Sequence, residues 1–380
     1  MKKLLVVSDS FKGSLTSKEI CMIWQEKLKK YSSQFSCHCI PFADGGEGSL
    51  ESYLWYGGTL KKISIQDDLL GEMKIPYVVD NGTMLIESAS VVGLPLYQDY
   101  LAPLTLNTFN LGKIIKFGIE SGYRKFIIFL GGSATVDGGI GLAEALGYRF
   151  FDKDGNQVTP LPSNMEKIEI IDVSEADKRL SECSFTLGVD VTNPLIGKNG
   201  CAFVFGPQKK ATYEQCIQLD KGLYHLSDVL ERMTHQSLKK IKGLGAAGGL
   251  GLFLVALNHA KILNGTTLLM ERLHLESEIK DSDLIITGEG RFDEQSLHGK
   301  LISNLISEAK KYKVPIWVIT GSTTFKNTHY VDRIILLNEQ EIPLEKKMKS
   351  AKIDYSKKVD EIFQVLANCQ SSEWRKNESE

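Results

Sequence analysis

A change of pattern along the chain limits the folds that its 380 residues can adopt. Near the start, residues 4–7 form an apolar run that ends in a polar loop, and Thr16 with Glu19 three positions later is a helix-starting capping box. The same order of strand, loop and helix returns late, where residues 284–286 form an apolar run and a helix is expected over residues 301–311. Units of this kind predict a parallel α/β sheet.

The middle of the chain has a different pattern. Residues 60–65, 75–79 and 84–87 are typical of short strands, and Asn81 followed by Gly82 is a strong hairpin signal. Short strands joined by turns predict an antiparallel meander rather than further strand–helix units.

We therefore predict an α/β fold with two domains. A discontinuous, Rossmann-like domain with a parallel sheet is expected from residues 1–58 and 282–380, and a large inserted α/β domain from residues 59–281. Loops that follow the strands of both domains would face a shared cleft, which is a usual place for a substrate. We therefore expect the active site in the cleft between the two domains.

Composition excludes several classes of partner. The net charge is −2 at pH 7, so no overall field favours nucleic acid or an anionic membrane. The seven cysteines are irregularly spaced and odd in number, which indicates reduced thiols rather than a disulfide framework. The apolar run at residues 4–7 is too short for a signal peptide, and no run approaches the ~20 residues of a membrane helix. We expect a cytoplasmic protein with small-molecule partners, and leave self-association into a homo-oligomer open.

One glycine-rich segment has the anatomy of an anion site. Residues 126–130 predict a buried strand, and the sequence GGSATVDGG and then a helix follow it. Glycines expose backbone N–H groups, and the start of a helix favours negative charge. A tight turn with a capping residue is the simpler explanation, but glycines on both sides exceed what a turn needs. We predict that Gly131, Gly132, Ser133 and Thr135 bind phosphate or nucleotide.

A second glycine motif has another explanation. Gly243, Gly245 and Gly248 fit the GxGxxG fingerprint of dinucleotide-binding proteins. Residues 239–242 before the motif make a poor strand, and no acidic strand end follows at the expected distance. A nicotinamide-dependent oxidoreductase is therefore disfavoured, and the glycines are interpreted as close packing or a loop beside a phosphate.

Six carboxylates are expected just after strands, in segments that also contain glycine. Phosphoryl transfer uses carboxylates to hold Mg²⁺ and to accept the proton of the acceptor hydroxyl. Each one alone could equally cap a turn. They are Asp9, Asp44, Glu47, Asp190, Glu289 and Asp293.

Two basic residues lie in the same segments. Lys12 follows the first predicted strand, and Arg291 is next to a glycine. Either could hold phosphate or a substrate carboxylate, since arginine offers a planar fork and lysine a compact charge. For His298, acid–base work and a capping or packing role both stay open.

Taken in order, several segments of the chain resemble the bacterial type I glycerate kinases. The resemblance runs from residue 9 to about residue 300, and several motifs in order are more specific than any one of them. The segments are DSFKGSL (9–15), ADGGEG (43–48), GGSATVDGG (131–139), DVTNPL (190–195), FGPQK (205–209), GAAGGLG (245–251), TGEGRFD (287–293) and HGK (298–300).

The resemblance implies an ATP- and Mg²⁺-dependent kinase that phosphorylates D-glycerate, most often at the 2-hydroxyl. It also implies a two-domain α/β fold. The alternatives are a kinase that gives 3-phosphoglycerate and a non-catalytic relative that senses a hydroxyacid. The chain departs from the family pattern at Leu69, Asn110, Val136 and Lys210.

We assign roles to the candidate site residues. Asp190 is predicted to orient or deprotonate the glycerate hydroxyl, and Lys12 and Arg291 to neutralise anionic oxygens. The other predicted site residues are Asp9, Ser10, Asp44 and Asn193 for the substrate, Gly288 together with the glycine-rich loop for the nucleotide, and Glu289 and Asp293 for the metal.

Overall fold

The computed structural model describes residues 1–11, 13–43, 48–297, 301–325, 329–338, 343–369 and 371–375. The chain forms two compact units. The first unit is Met1–Asp44 with Leu269–Glu380, and the second unit is Gly45–Leu268. The domain boundaries predicted from the sequence, between residues 58 and 59 and between residues 281 and 282, differ from these bounds and remain a prediction.

Strands and helices alternate at both ends of the chain. The strands are β1 (Lys2–Ser8), β2 (Phe35–Pro41), β3 (Thr59–Asp67), β4 (Gly71–Asp80), β5 (Thr83–Glu87), β6 (Lys125–Phe129), β7 (Arg149–Phe151), β8 (Ile170–Asp172), β9 (Ser184–Val189), β10 (Lys261–Asn264), β11 (Leu284–Phe292), β12 (Ile316–Thr323) and β13 (Arg333–Leu336). The α-helices are α1 (Ser17–Leu28), α2 (Ser49–Trp55), α3 (Ala89–Val92), α4 (Phe109–Glu120), α5 (Ile140–Ala145), α6 (Cys201–Phe205), α7 (Tyr213–Thr234), α8 (Leu252–Asn258), α9 (Gly265–Arg272), α10 (Leu275–Lys280), α11 (Leu301–Tyr312) and α12 (Leu344–Asn368).

The first unit contains a parallel sheet in the order β13-β12-β11-β1-β2. β1 pairs with β11, Leu4 lying opposite Leu284, so the two ends of the chain share one sheet. In chain order this is the 2-1-3-4-5 arrangement of doubly wound folds, whose direction of winding reverses between β1 and β11. The predicted capping box is present, because the Thr16 side chain accepts from the Glu19 N–H and the Glu19 carboxylate accepts from Thr16.

β11 is longer than the sequence suggests. The segment TGEGR was expected as a loop after a strand that ends at Ile286, but the strand continues to Phe292. Thr287 to Phe292 pair with β12, whereas the pairing with β1 stops at Ile286. Pairing on one side thus holds a glycine-rich, polar segment extended. The ends of β11 and β12 project past β1 and form one wall of the crevice at the reversal point.

The second unit contains a mixed sheet in the order β10-β9-β6-β5-β4-β3. β3, β4 and β5 are antiparallel neighbours, which confirms the predicted meander. Asn81 and Gly82 have φ values of 46° and 74°, as the predicted hairpin turn requires. β5, β6, β9 and β10 are parallel, so the loops after them leave the same edge of the sheet.

The mixed α/β fold with parallel sheets is confirmed. All seven cysteines are free thiols, as expected. Within the described ranges, no helix has the length and apolar character needed to cross a membrane.

Candidate active site

The loop after β6 carries the glycine-rich segment. Gly131 N donates to Ser88 Oγ at 3.2 Å, which ties the start of the loop to the end of β5. Gly132 is exposed and has a φ of 59°, a conformation that favours glycine. Within the described residues, the N–H groups of Gly132 and Ser133 donate no hydrogen bond. The loop therefore offers two adjacent backbone donors to an anion.

The two hydroxyls predicted to hold phosphate are buried, each belonging to a residue that is 2% exposed. Ser133 Oγ accepts a hydrogen bond from Lys209 Nζ at 3.1 Å. Thr135 Oγ1 has no hydrogen-bond partner in the described part of the chain. A buried hydroxyl without a partner is uncommon in native proteins and points to an absent ligand or water. The role of both hydroxyls in phosphate binding remains a prediction.

Asp137 anchors the loop from inside. Its carboxylate accepts from Thr108 N and Oγ1 at 2.8 and 2.7 Å, and from Gly139 N and Gly141 N at 3.1 and 3.2 Å. Burial raises the pKa of Asp137, while these hydrogen bonds oppose the rise. Four donors on one carboxylate fix the entry to α5 and the start of α4. Asp137 is therefore a structural residue of its motif.

The GxGxxG segment packs against two other loops. A Cβ atom at Gly248 would lie 2.1 Å from the carbonyl oxygen of Thr135, and one at Gly245 would lie 2.3 Å from that of Pro194. Gly138 N donates to Gly248 O at 3.1 Å, and Gly245 N donates to Asn193 O at 3.1 Å. These contacts support close packing beside the predicted phosphate loop, which was one of the two interpretations of the motif.

Asp190 and Asn193 follow β9, the neighbour of β6 in the sheet. Asp190 is exposed at the edge where the loop after β6 also emerges. Asn193 donates through Nδ2 to Asn199 O at 2.8 Å, so part of its amide holds its own loop. This edge of the second unit therefore brings together the proposed base and the proposed phosphate loop.

The first unit has a cavity of about 690 Å³ in the crevice where β1 and β11 diverge. Ligands of doubly wound sheets bind at this reversal point, outside the carboxyl ends of the strands. Five predicted site residues line the cavity, namely Asp9, Ser10, Glu289, Arg291 and Asp293. Arg291 Nε contacts Asp293 Oδ2 at 2.9 Å, and the arginine side chain is 67% exposed. The arginine can therefore turn toward an anion in the cavity.

Another part of the cavity lining combines apolar side chains with Lys347 and Asp354 of α12. Leu337 follows β13, and Leu344, Met348 and Ala351 lie on α12. Asn338 stands next to them and offers an amide. Apolar side chains next to polar and charged groups suit a nucleoside, whose base is apolar on its faces and polar at its edge.

Gly288 lies under this cavity rather than in its wall. Its carbonyl oxygen accepts from Asp9 N at 3.2 Å and from Ser8 Oγ at 3.0 Å. A Cβ atom there would lie 2.5 Å from the carbonyl oxygen of Ile319. The two hydrogen bonds hold β11 against the end of β1. The nucleotide-binding role of Gly288 remains a prediction.

Several predicted residues lie outside the described part of the chain. They are Lys12, Asp44, Glu47 and His298.

The structure also shows residues that sequence reasoning missed. Lys209 was noted only as the last letter of FGPQK, yet it is buried against the loop after β6. Two of the four departures from the family pattern have local explanations, since Asn110 donates to Asp67 Oδ2 at 2.5 Å and Val136 is fully buried. Lys210 has a φ of 64°, a conformation that favours glycine, and nothing in the structure explains the lysine there.

Comparison with known proteins agrees with this geometry. The sequence matches the glycerate kinase family over residues 4–367. The glycerate 2-kinase of Escherichia coli K12 is 36% identical over 334 residues, which covers 85% of this chain and 86% of that protein. The glycerate kinase of Bacillus subtilis 168 is 35% identical over 354 residues, covering 90% and 92%.

A solved structure is similar as well. The crystal structure of a Salmonella typhimurium LT2 protein assigned as glycerate kinase 2 matches with a TM-score of 0.82 and 33% identity, covering 96% of this chain and 98% of that one. The prediction of an ATP-dependent kinase, rather than a nicotinamide-dependent oxidoreductase, is confirmed. The chain belongs to the glycerate kinase family.

Proposed function

We propose that this protein transfers the γ-phosphoryl group of ATP to D-glycerate and releases 2-phosphoglycerate. The match to the E. coli glycerate 2-kinase over 85% of the chain carries the proposal. The geometry supports it, because one unit offers unpaired backbone N–H groups after β6, and the other offers a cavity lined by carboxylates and apolar side chains. Phosphoryl transfer depends on such positioning and charge neutralisation.

The backbone of the Gly131–Thr135 loop is proposed to hold phosphate oxygens of ATP, with the hydroxyls of Ser133 and Thr135 as further donors. Asp190 orients or deprotonates the glycerate hydroxyl, and its exposure at the edge next to that loop supports this role. Arg291 neutralises anionic oxygens, a role also proposed for Lys12.

Mg²⁺ fits the donors of the first-unit cavity. Glu289 and Asp293 bring carboxylate oxygens to its wall. Within the described residues no group of three ligands is already arranged for a metal. Mg²⁺ does not need one, since it keeps several waters and uses one or two carboxylates together with substrate phosphates. Bound there, the ion would supply charge neutralisation, and Glu289 and Asp293 would be the residues that hold it.

Asp9, Ser10, Asp44 and Asn193 are proposed to bind glycerate. The division into domains of residues 1–58 with 282–380 and 59–281, with an active-site cleft, remains a prediction.

Glycerate-dependent release of ADP tests the proposed reaction. Purified protein is incubated with ATP and Mg²⁺, and ADP is followed with D-glycerate, with lactate and without an acceptor. We expect ADP release that requires D-glycerate. Lactate lacks the second hydroxyl and tests acceptor specificity. Equal ADP release with and without D-glycerate would contradict the proposal and favour the non-catalytic sensor.

A further inference from the structure

Lys209 is a buried lysine with both of its hydrogen bonds on the predicted phosphate loop. It ends the short turn Pro207–Lys209 between α6 and α7 and is 2% exposed. Its Nζ donates to Ser133 Oγ at 3.1 Å and to Thr135 O at 2.7 Å. Lysine is almost never buried unless it is paired, so its position calls for an explanation.

Within the described residues, Lys209 forms no ion pair. Two titratable groups act on it, the Cys201 thiol on α6 and the Asp137 carboxylate in the loop after β6. Burial raises the pKa of Cys201 to about 12, so this thiol is neutral at ordinary pH. Asp137 already accepts four hydrogen bonds from other groups. The ammonium is thus a buried positive charge with incomplete compensation, which is costly unless an anion joins it.

The hydrogen bond from Lys209 also sets the direction of the Ser133 hydroxyl. A hydroxyl has one proton to donate, and an ammonium can only donate. Because Ser133 Oγ accepts from Lys209, its own proton is left for another acceptor. The unused N–H groups of Gly132 and Ser133 lie in the same loop, so the lysine, the hydroxyl and the backbone together favour a bound anion.

We propose that Lys209 is a positioning residue of this loop, whose ammonium holds Ser133 and Thr135 in place and is compensated by an anionic oxygen group of a substrate bound there. This inference rests on the proposed function. The anionic group is a phosphate of the nucleotide or the carboxylate of glycerate, and the test below separates the two. Lys209 acts through Ser133 and the field of its charge, and it contacts no reacting atom.

The proposal predicts that the affinity of the protein for the anionic ligand depends on pH. Burial lowers the pKa of Lys209 to about 8. A bound anion favours the charged form and raises that pKa by roughly one unit or more at 4–6 Å. The protonated enzyme then binds the anion more tightly, so affinity falls about tenfold as pH rises from 7 to 9.5.

Calorimetric titrations with MgADP and, separately, with D-glycerate test the proposal. Lys209→Met removes the charge at similar length, Lys209→Arg keeps it at every pH, and Lys210→Met removes the exposed neighbouring charge as a matched control. For one of the two ligands we expect wild type and Lys210→Met to lose about tenfold in affinity between pH 7 and 9.5. Lys209→Met should bind that ligand about tenfold more weakly at pH 7 and show no fall with pH.

The ligand that shows this pattern identifies the anion as phosphate or carboxylate. A Lys209→Met variant that melts like wild type and binds both ligands with wild-type affinity and pH dependence would overturn the proposal. If the variant does not fold, the wild-type pH series decides, since flat affinity for both ligands would also overturn it. Absence of glycerate-dependent ADP release by wild type would contradict the proposed function instead, and the two failures are therefore distinguishable.

Discussion

Gly248→Ala should destabilise the protein through a single backbone clash. The new Cβ atom would lie 2.1 Å from the carbonyl oxygen of Thr135 and 2.8 Å from Cα of Val136, and neither atom belongs to a flexible side chain. Gly248 also has a φ of 74°, where an L-residue costs about 1–2 kcal/mol. Overpacking a close contact costs about 1–3 kcal/mol more. We expect a loss of about 3 kcal/mol in the free energy of unfolding.

Thermal unfolding measures this loss. For a domain of about 150–250 residues each kcal/mol lowers Tm by about 2–4 °C, so we expect a fall of about 6–12 °C. Gly155→Ala is the matched control, because Gly155 has a φ of 82° but nothing within 4 Å of a new Cβ atom. The control should cost only the strain of the left-handed backbone, about 1 kcal/mol.

The same substitution should affect the phosphate loop. Relief of the clash must move Thr135 O, which accepts the hydrogen bond from Lys209 at 2.7 Å. We expect Gly248→Ala to raise the KM for ATP, while Gly155→Ala leaves it unchanged. A Gly248→Ala protein that loses no more stability than Gly155→Ala and keeps the KM for ATP would refute the packing argument.

Two further predictions follow from single side chains. Asp190→Asn keeps the shape of the side chain but removes its charge. In steady-state assays kcat should therefore fall by about 10²–10⁴, while Tm stays near wild type. A near-normal kcat in the folded variant would rule out the catalytic role. Lys209 has a folded pKa of about 8, below the ordinary value of 10.5, so its burial destabilises the folded state most below pH 8. In urea titrations the wild-type free energy of unfolding should therefore rise by about 3 kcal/mol relative to that of Lys209→Met between pH 8 and 10.5. If the free energies of unfolding of the two proteins changed in parallel with pH, the result would contradict a buried charge at Lys209.

Local signals in the sequence predicted most of the elements that carry the candidate site. The apolar runs of β1 and β6 and the capping box of α1 depend on neighbours in the sequence, so they can be identified from it. Asn81 and Gly82 likewise define their own turn.

Tertiary contacts explain what the sequence did not predict. The extension of β11 past Ile286 depends on pairing with β12, about thirty residues away, and its glycines and charges are typical of a loop. Lys209 follows a glycine, a proline and a glutamine, a composition that indicates an exposed turn, and only the fold buries it. The packing role of Gly248 is equally non-local, since Thr135 lies in another loop.

Identification of the product tests the central claim most directly. The enzyme is incubated with ATP, Mg²⁺ and D-glycerate, and the phosphorylated product is identified by ³¹P NMR against both phosphoglycerate isomers. Phosphorylation of the 2-hydroxyl predicts 2-phosphoglycerate as the product. Formation of 3-phosphoglycerate, or of no phosphoglycerate at all, would contradict the account.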